Sequence, residues 1–377
     1  MKIAIDCADL DCSRIDGTRV YIKNVLNYLG QLAPNDEFLL YHKGDFNPLL
    51  LPKWYPNYVE CKIPYRFWWT QTRLAFELRA DKPDVCWMPI QQIPFIGPKE
   101  TKYVVTIHDL AFKIFPDYFL RGDRRKLNFF ADTAIKHADG LIAISESTKK
   151  DILKLYPKTN KEKISVVHHG FESDLFSKQY SNEEIDSVLK KYKIIKKDRH
   201  PFILYVGAIQ PRKDLVTLVR AFERIKYRDG NDGLELVLVG ELAWKAEKTL
   251  VAVENSEFSK DIVLTGKVNF KDLGKIYQGA NVFAFPALYE GFGIPILEAF
   301  ASKVPVVVAD NSSLVEVGGE AVQKFEGGDI NQFADVLQKV LKNSIIRERM
   351  ISKGLERAAQ FSWKKCAQET LNVLKSA

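Results

Sequence analysis

The sequence predicts an α/β protein made of two doubly wound domains, each a parallel sheet covered by helices. Three observations carry this expectation. Apolar runs of strand length alternate with segments of helical periodicity, and the alternation lapses over a polar stretch near the middle before it resumes. The chain also has 377 residues with 46% hydrophobic content, more than one core comfortably accommodates.

In the first half the strand-like runs are residues 2–6, 38–42, 85–89, 103–108, 140–145 and 164–168. Between them Tyr21, Ile22, Val25, Leu26 and Leu29 fall on one helical face. Ser147 is placed to cap a helix that runs to Tyr156 and stops before Pro157. Residues 1–176 are therefore expected to form the N-terminal domain. Residues 177–200 turn polar, with Ser181 placed to cap a short charged helix, and are expected to be the linker. Strand-like runs resume at 202–206, 234–239, 262–265, 281–285 and 304–309, which makes 201–362 the expected C-terminal domain. Beyond Ile330 the pattern is helical only, broken at Phe361-Ser362-Trp363, where Ser362 can cap a last helix reaching residue 377.

Composition narrows the function classes. The 55 Lys+Arg against 48 Asp+Glu leave a charge of +7 with no basic block and no repeated aromatic-basic motif, so no nucleic-acid partner is expected. The five cysteines are scattered, without a Cys-x2-Cys pair, and suggest neither a zinc site nor a disulfide framework; a cytoplasmic location is the expectation. No run of about 18 apolar residues occurs. The cluster Tyr65-Arg66-Phe67-Trp68-Trp69, with Arg73, has the aromatic and basic character of a peripheral membrane contact, though core packing or a dimer contact is the stronger expectation for it. A GxGxxG fingerprint is absent, which argues against a nicotinamide or flavin oxidoreductase.

The chemistry is concentrated in a few segments. From Tyr289 to Glu298 the chain reads Tyr-Glu-Gly-Phe-Gly-Ile-Pro-Ile-Leu-Glu, directly after the strand-like run 281–285. Gly291 and Gly293 permit backbone geometries that side chains obstruct, and Pro295 suits a first helical turn. Helix starts at the carboxyl edge of a parallel sheet present unpaired amides to anions. Glu290 and Glu298 beside such a site make sense if they accept from sugar or ribose hydroxyls while the anion is a diphosphate. A second segment, Tyr205 to Asp214, follows the first strand of this half and places Arg212 and Lys213 before an amphipathic helix, where they can neutralise a departing diphosphate.

In the first half His108 and Asp109 close a strand-like run and can engage sugar hydroxyls. His168 and His169 end another run and are further pocket candidates. Gly17-Thr18-Arg19 begins a helix whose amides can approach phosphates. Asp9-Leu10-Asp11 has the form of a metal-diphosphate motif but follows the first strand, and no metal is expected to be needed.

The segment 289–298 resembles the Glu-x7-Glu signature of retaining glycosyltransferases of family 4, and 205–214 resembles that family's Gly-x-x-x-Pro-Arg-Lys segment, with Ala208 where some members have Arg. His108-Asp109 followed by Phe115-Pro116 resembles the acceptor side of its bacterial mannosyltransferase-like members. The resemblance implies a GT-B fold, two Rossmann-like domains facing across a cleft, with the terminal helix 363–377 crossing back to the first. It implies a nucleotide diphosphate sugar, with a leaning to GDP-mannose, as donor substrate rather than prosthetic group. A glycan or lipid-linked molecule of surface polysaccharide synthesis would be the acceptor. His108 and Glu290 would act at the reacting sugar and Asp109 on the acceptor side. Gly17, Arg212, Lys213, Gly291, Phe292, Gly293 and Glu298 would hold the donor, Glu298 at the ribose. A nucleotide-sugar epimerase and an inactive nucleotide-sugar-binding scaffold are the competing readings.

Overall fold

Seven strands of the first half are parallel: β1 (Lys2–Asp6), β2 (Glu37–His42), β3 (Tyr58–Lys62), β4 (Val85–Met88), β5 (Lys102–Ile107), β6 (Gly140–Ala143) and β7 (Ile164–Val166), in the spatial order β3-β2-β1-β4-β5-β6-β7. Their central members are apolar on both faces, as a sheet sandwiched between helices requires: Ile3, Ala4 and Ile5 of β1 are fully buried. The structure, a computed structural model, describes residues 1–13, 15–65, 67–194, 200–229 and 233–377. It divides into two compact units, Met1–Gly170 with Phe361–Ala377, and Phe171–Gln360.

In the first unit the helix Gly17–Leu32 buries Tyr21, Ile22, Val25, Leu26 and Leu29, the stripe read from the sequence. The helix Trp363–Ser376 packs against it and buries Trp363, Cys366, Ala367, Thr370, Leu371 and Leu374. Its start is fixed by Ser362, whose hydroxyl accepts from Lys365 N at 3.1 Å. A Cβ at Gly170 would lie 2.1 Å from Trp363 N, so glycine is the residue that lets the two backbones meet there.

The second unit repeats the design with six parallel strands: β8 (Phe202–Val206), β9 (Glu235–Val239), β10 (Ile262–Gly266), β11 (Val282–Phe285), β12 (Val306–Ala309) and β13 (Val322–Phe325), ordered β10-β9-β8-β11-β12-β13. In both sheets the order reverses beside the first strand, between β1 and β4 and between β8 and β11. These are the topological switch points where open α/β sheets bind ligands at their carboxyl edge.

Several expectations need correction. Strands β3 and β13 were not anticipated, and both are edge strands. Val59, Glu60 and Lys62 of β3 are exposed, and β13 interrupts its apolar ends with Gln323 and Lys324, so neither carries the apolar run of a central strand. The helix Glu146–Leu155 is capped by Ser145, which accepts from Thr148 N, rather than by Ser147. Residues 171–176 and the described part of the stretch expected as a linker belong to the second unit. Ser181 does cap the helix Asn182–Lys191, in a capping box with Glu184, but that helix buries Ile185, Val188 and Leu189 and packs on the helix Phe270–Gly279. Lys191 and Tyr192 reach Asp272 at 2.7 and 2.9 Å, so a charged surface hid a helix anchored by its apolar face. Residues 195–199 of that stretch, and Arg66 of the aromatic cluster, lie outside the described residues.

Candidate functional site

At the switch point of the second sheet the chain leaves β8 and passes through Gln210 into a turn of 3₁₀ helix, Pro211–Lys213, before the helix Leu215–Asp229. Asp214 makes the bend with φ 48°. The chain leaving β11 runs alongside, and Leu288 N donates to Arg212 O at 2.9 Å. This stitching brings together three residues singled out in the sequence. The Arg212 guanidinium donates to the carbonyl of Tyr289 and lies 3.3 Å from Glu290 Oε1, and the Lys213 ammonium pairs with the same Oε1. All three side chains are largely buried. Burial opposes the charge on Glu290, but Arg212 and Lys213 outweigh it and hold its carboxyl below the usual glutamate range. Lys213 Nζ also sits 5.0 Å from the centre of the Phe285 ring.

Gly291, Phe292 and Gly293 are buried and lead into the helix Ile294–Ala301, which has Pro295 in its first turn. Gly293 takes φ 104°, and a Cβ there would come within 3.3 Å of the Ile296 and Leu314 side chains, so this glycine is required by its own backbone. Glu298 points inward, 8% exposed, and its Oε2 accepts from Tyr277 Oη at 2.9 Å. Burial pushes its carboxyl up to about 7; the Tyr277 bond pulls it down and Glu172 adds to the rise.

A third loop, after β12, was missed in the sequence. Ser312 Oγ accepts from Glu290 N at 3.1 Å and donates to Asn311 Oδ1, while Asn311 Nδ2 donates to Ala287 O. The fully buried Ser313 hydroxyl lies 2.8 Å from Glu290 O and 2.9 Å from Phe292 O. The run Asp310-Asn311-Ser312-Ser313 after an apolar strand at the same sheet edge was the available signal.

The first unit holds a separate group. His108 follows β5 and is partly buried, and its Nε2 donates to Pro89 O at 2.8 Å. Burial lowers its pKa against the opposing pull of the Pro89 carbonyl, Asp109, Asp16 and Asp9, so the ring is neutral with its proton on Nε2 and Nδ1 as acceptor. Tyr21 lies edge-on to His108 at 5.2 Å and stacks on His169 at 4.7 Å. Asp109 Oδ1 accepts from Ala111 N at 3.0 Å. Gly17 starts its helix behind Asp16, whose carboxylate accepts from Arg19 N at 3.3 Å and pairs with the Arg19 guanidinium at 2.5 Å. A Cβ at Gly17 would meet nothing within 4 Å. Asp9 and Asp11 serve structure: Asp9 lies 3.6 Å from Arg19, and Asp11 Oδ2 accepts from Lys43 N and Gly44 N at 2.7 Å each.

Residues 15–175 match the model described as "Glycosyltransferase Family 4", and residues 186–357 match "Glycosyl transferases group 1". The chain is 29% identical over 311 residues to the O-antigen chain mannosyltransferase B of Escherichia coli, covering 80% of this chain and 77% of that protein. It is 26% identical over 296 residues to the serotype-specific mannosyltransferase WbdA of Escherichia coli, covering 76% of this chain and 34% of WbdA. Among solved structures, Anabaena Alr3699/HepE in complex with UDP-glucose superposes with a TM-score of 0.76 at 16% identity, covering all of both chains, a likeness of fold.

Proposed function

Because the chain belongs to the glycosyltransferases of GT-B fold, with a family 4 domain followed by a group 1 domain, we propose that it is a metal-independent retaining hexosyltransferase. Its donor would be GDP-mannose and its acceptor a glycan or lipid-linked intermediate of surface polysaccharide synthesis. The similarity to O-antigen mannosyltransferases supports the choice of sugar and pathway. The observation that carries the donor site is the convergence of Arg212, Lys213 and Glu290 at the switch point of the second sheet, with the buried Glu298 on the helix that follows Glu290.

In this reading the donor diphosphate takes over Arg212 and Lys213 as counter-ions, and the released Glu290 carboxylate accepts from hydroxyls of the transferred sugar. Exchange of one anion for another keeps the two buried cations paired, and the hydroxyl donors of the sugar take over the carboxylate that they release. As the sugar–phosphate bond breaks, negative charge grows on the leaving diphosphate, and fixed cations stabilise that change more than the ground state. The leaving phosphate then accepts the proton of the attacking acceptor hydroxyl on the same face of the sugar, giving retention without an enzymic nucleophile. Neutral His108, with Nδ1 as acceptor, orients a sugar hydroxyl, and Asp109 serves the acceptor side.

The test is product analysis. Incubation with GDP-mannose and a mannosylated acceptor in excess EDTA should give a product whose new linkage is α by proton NMR, the configuration of the donor. A β linkage would reject retention, dependence on added divalent metal would reject metal independence, and conversion of donor without any acceptor would favour an epimerase.

The aromatic cluster bears on where such an acceptor is met. Phe67 and Trp68 are 74% and 68% exposed, whereas Trp69 is buried with its indole donating to Ile63 O at 3.1 Å. Among the described residues no helix is long and apolar enough to cross a membrane. We assign Phe67, Trp68 and Arg73 to a peripheral contact with an anionic lipid surface on the cytoplasmic side.

A further inference from the structure

The residues proposed to bind the donor do not account for Tyr277. This tyrosine is fully buried on the helix Phe270–Gly279, wedged edge-on against Phe176 at 5.6 Å and tilted over Phe283 of β11 at 5.5 Å. A phenol that deep needs a partner, and its hydroxyl has two acceptors in range: Glu298 Oε2 at 2.9 Å and Pro295 O at 3.4 Å. It carries one hydrogen, and the shorter, charge-assisted bond to the carboxylate takes it. Burial and the neighbouring Glu298 both push the phenol pKa far up, so Tyr277 stays a donor at any working pH.

Glu298 is itself enclosed, and side-chain freedom about its terminal torsion would otherwise let the carboxylate turn. The rings of Phe176 and Phe283 fix the Tyr277 hydroxyl, and the hydroxyl fixes Oε2. We propose that Tyr277 is a positioning residue for recognition of the nucleoside. By pinning one oxygen of Glu298 it presents the other to the hydroxyls of the donor's ribose. This rests on the reading of Glu298 as the ribose acceptor. The titratable groups acting on Glu298 are Tyr277, from the helix Phe270–Gly279, and Glu172, just before the helix Ser173–Phe176. Tyr277 is the one that favours the charged, hydroxyl-accepting form.

The test compares binding of GDP and of 2′,3′-dideoxy-GDP by wild type and Tyr277→Phe, by calorimetry across pH 6 to 9, with thermal unfolding as a check that the variant is folded. Wild type should prefer the ribose form. Tyr277→Phe should lose roughly tenfold in affinity for GDP while binding the dideoxy form as wild type does. The pH midpoint of GDP binding should also move upward, because the carboxylate has lost its donor. Equal weakening toward both nucleotides, or an unchanged preference and midpoint in Tyr277→Phe, overturns the inference and leaves Tyr277 as packing. Failure of wild type to distinguish the two nucleotides overturns the Glu298 reading beneath it. Glu298→Gln serves as the reference for complete loss of the pH dependence.

Discussion

Glu290 and Glu298 are the same residue type eight positions apart, and their surroundings drive them in opposite directions. Burial disfavours charge on both, but Arg212 and Lys213 overrule it at Glu290, while Glu298 has only a phenol to oppose it and rises to about 7. A carboxyl raised in the folded state from 4.5 to about 7 gives stability that is complete below the unfolded value and is lost as pH climbs through the folded one. Binding of ribose hydroxyls needs the ionised form and moves the other way, so affinity for the nucleoside diphosphate should rise between pH 6 and 8 in wild type. Calorimetric titration at several pH values should find that rise flattened in Glu298→Gln. The pair at Glu290 predicts a stability effect instead. Lys213→Ala leaves a buried carboxylate short of one cation and should destabilise by about 3 kcal/mol in denaturant unfolding, whereas adding Glu290→Gln should recover a good part of the loss. Both acids and both cations were legible in the sequence from the position of their segments after apolar runs. That Lys213 and Glu290 would close on each other was not, since a pairing 77 residues apart depends on which strands are neighbours in the sheet.

At the level of elements, the loop after β11 owes its shape to a neighbour rather than to its own residues. Ser312, Ser313 and Asn311 hold the backbone of residues 287–292 through side-chain hydrogen bonds, and Gly293 turns it into the helix Ile294–Ala301 with a positive φ. Ser313→Ala should therefore cost about 1–3 kcal/mol, the penalty for removing a buried hydroxyl that lies between two backbone carbonyls, and should weaken donor binding as well, read by Tm and by titration. The central strands were readable because two buried faces demand a continuous apolar run. The edge strands β3 and β13 were not, because one free side tolerates Glu60, Lys62, Gln323 and Lys324. The helix Asn182–Lys191 was legible in its cap and misplaced in its context, since its charged residues suggested a linker while Ile185, Val188 and Leu189 anchor it to the second unit.

For the whole molecule, two sheets of the same winding order place their switch points beside β1 and β8, and that duplication was visible as an interrupted and resumed alternation in the sequence. The last helix returns to the first unit, where Trp363, Leu371 and Leu374 join its core. Deletion of residues 361–377 should expose the apolar face of the helix Gly17–Leu32 and unfold the first unit, seen as loss of one unfolding transition in calorimetry and early hydrogen exchange across β1, β4 and β5. The exposed Phe67 and Trp68 predict flotation with anionic vesicles at low salt, reduced in a Phe67→Ser/Trp68→Ser variant. Absence of flotation in wild type would remove the membrane contact. The central claim is the donor site of the second unit. It is tested most directly by thermal stabilisation with GDP-, UDP- and ADP-sugars and their nucleoside diphosphates in excess EDTA, comparing wild type with Glu298→Ala. The account predicts a selective upward shift with GDP-mannose and GDP that shrinks in the variant; no shift with any of these compounds, or one of equal size in both proteins, would contradict it.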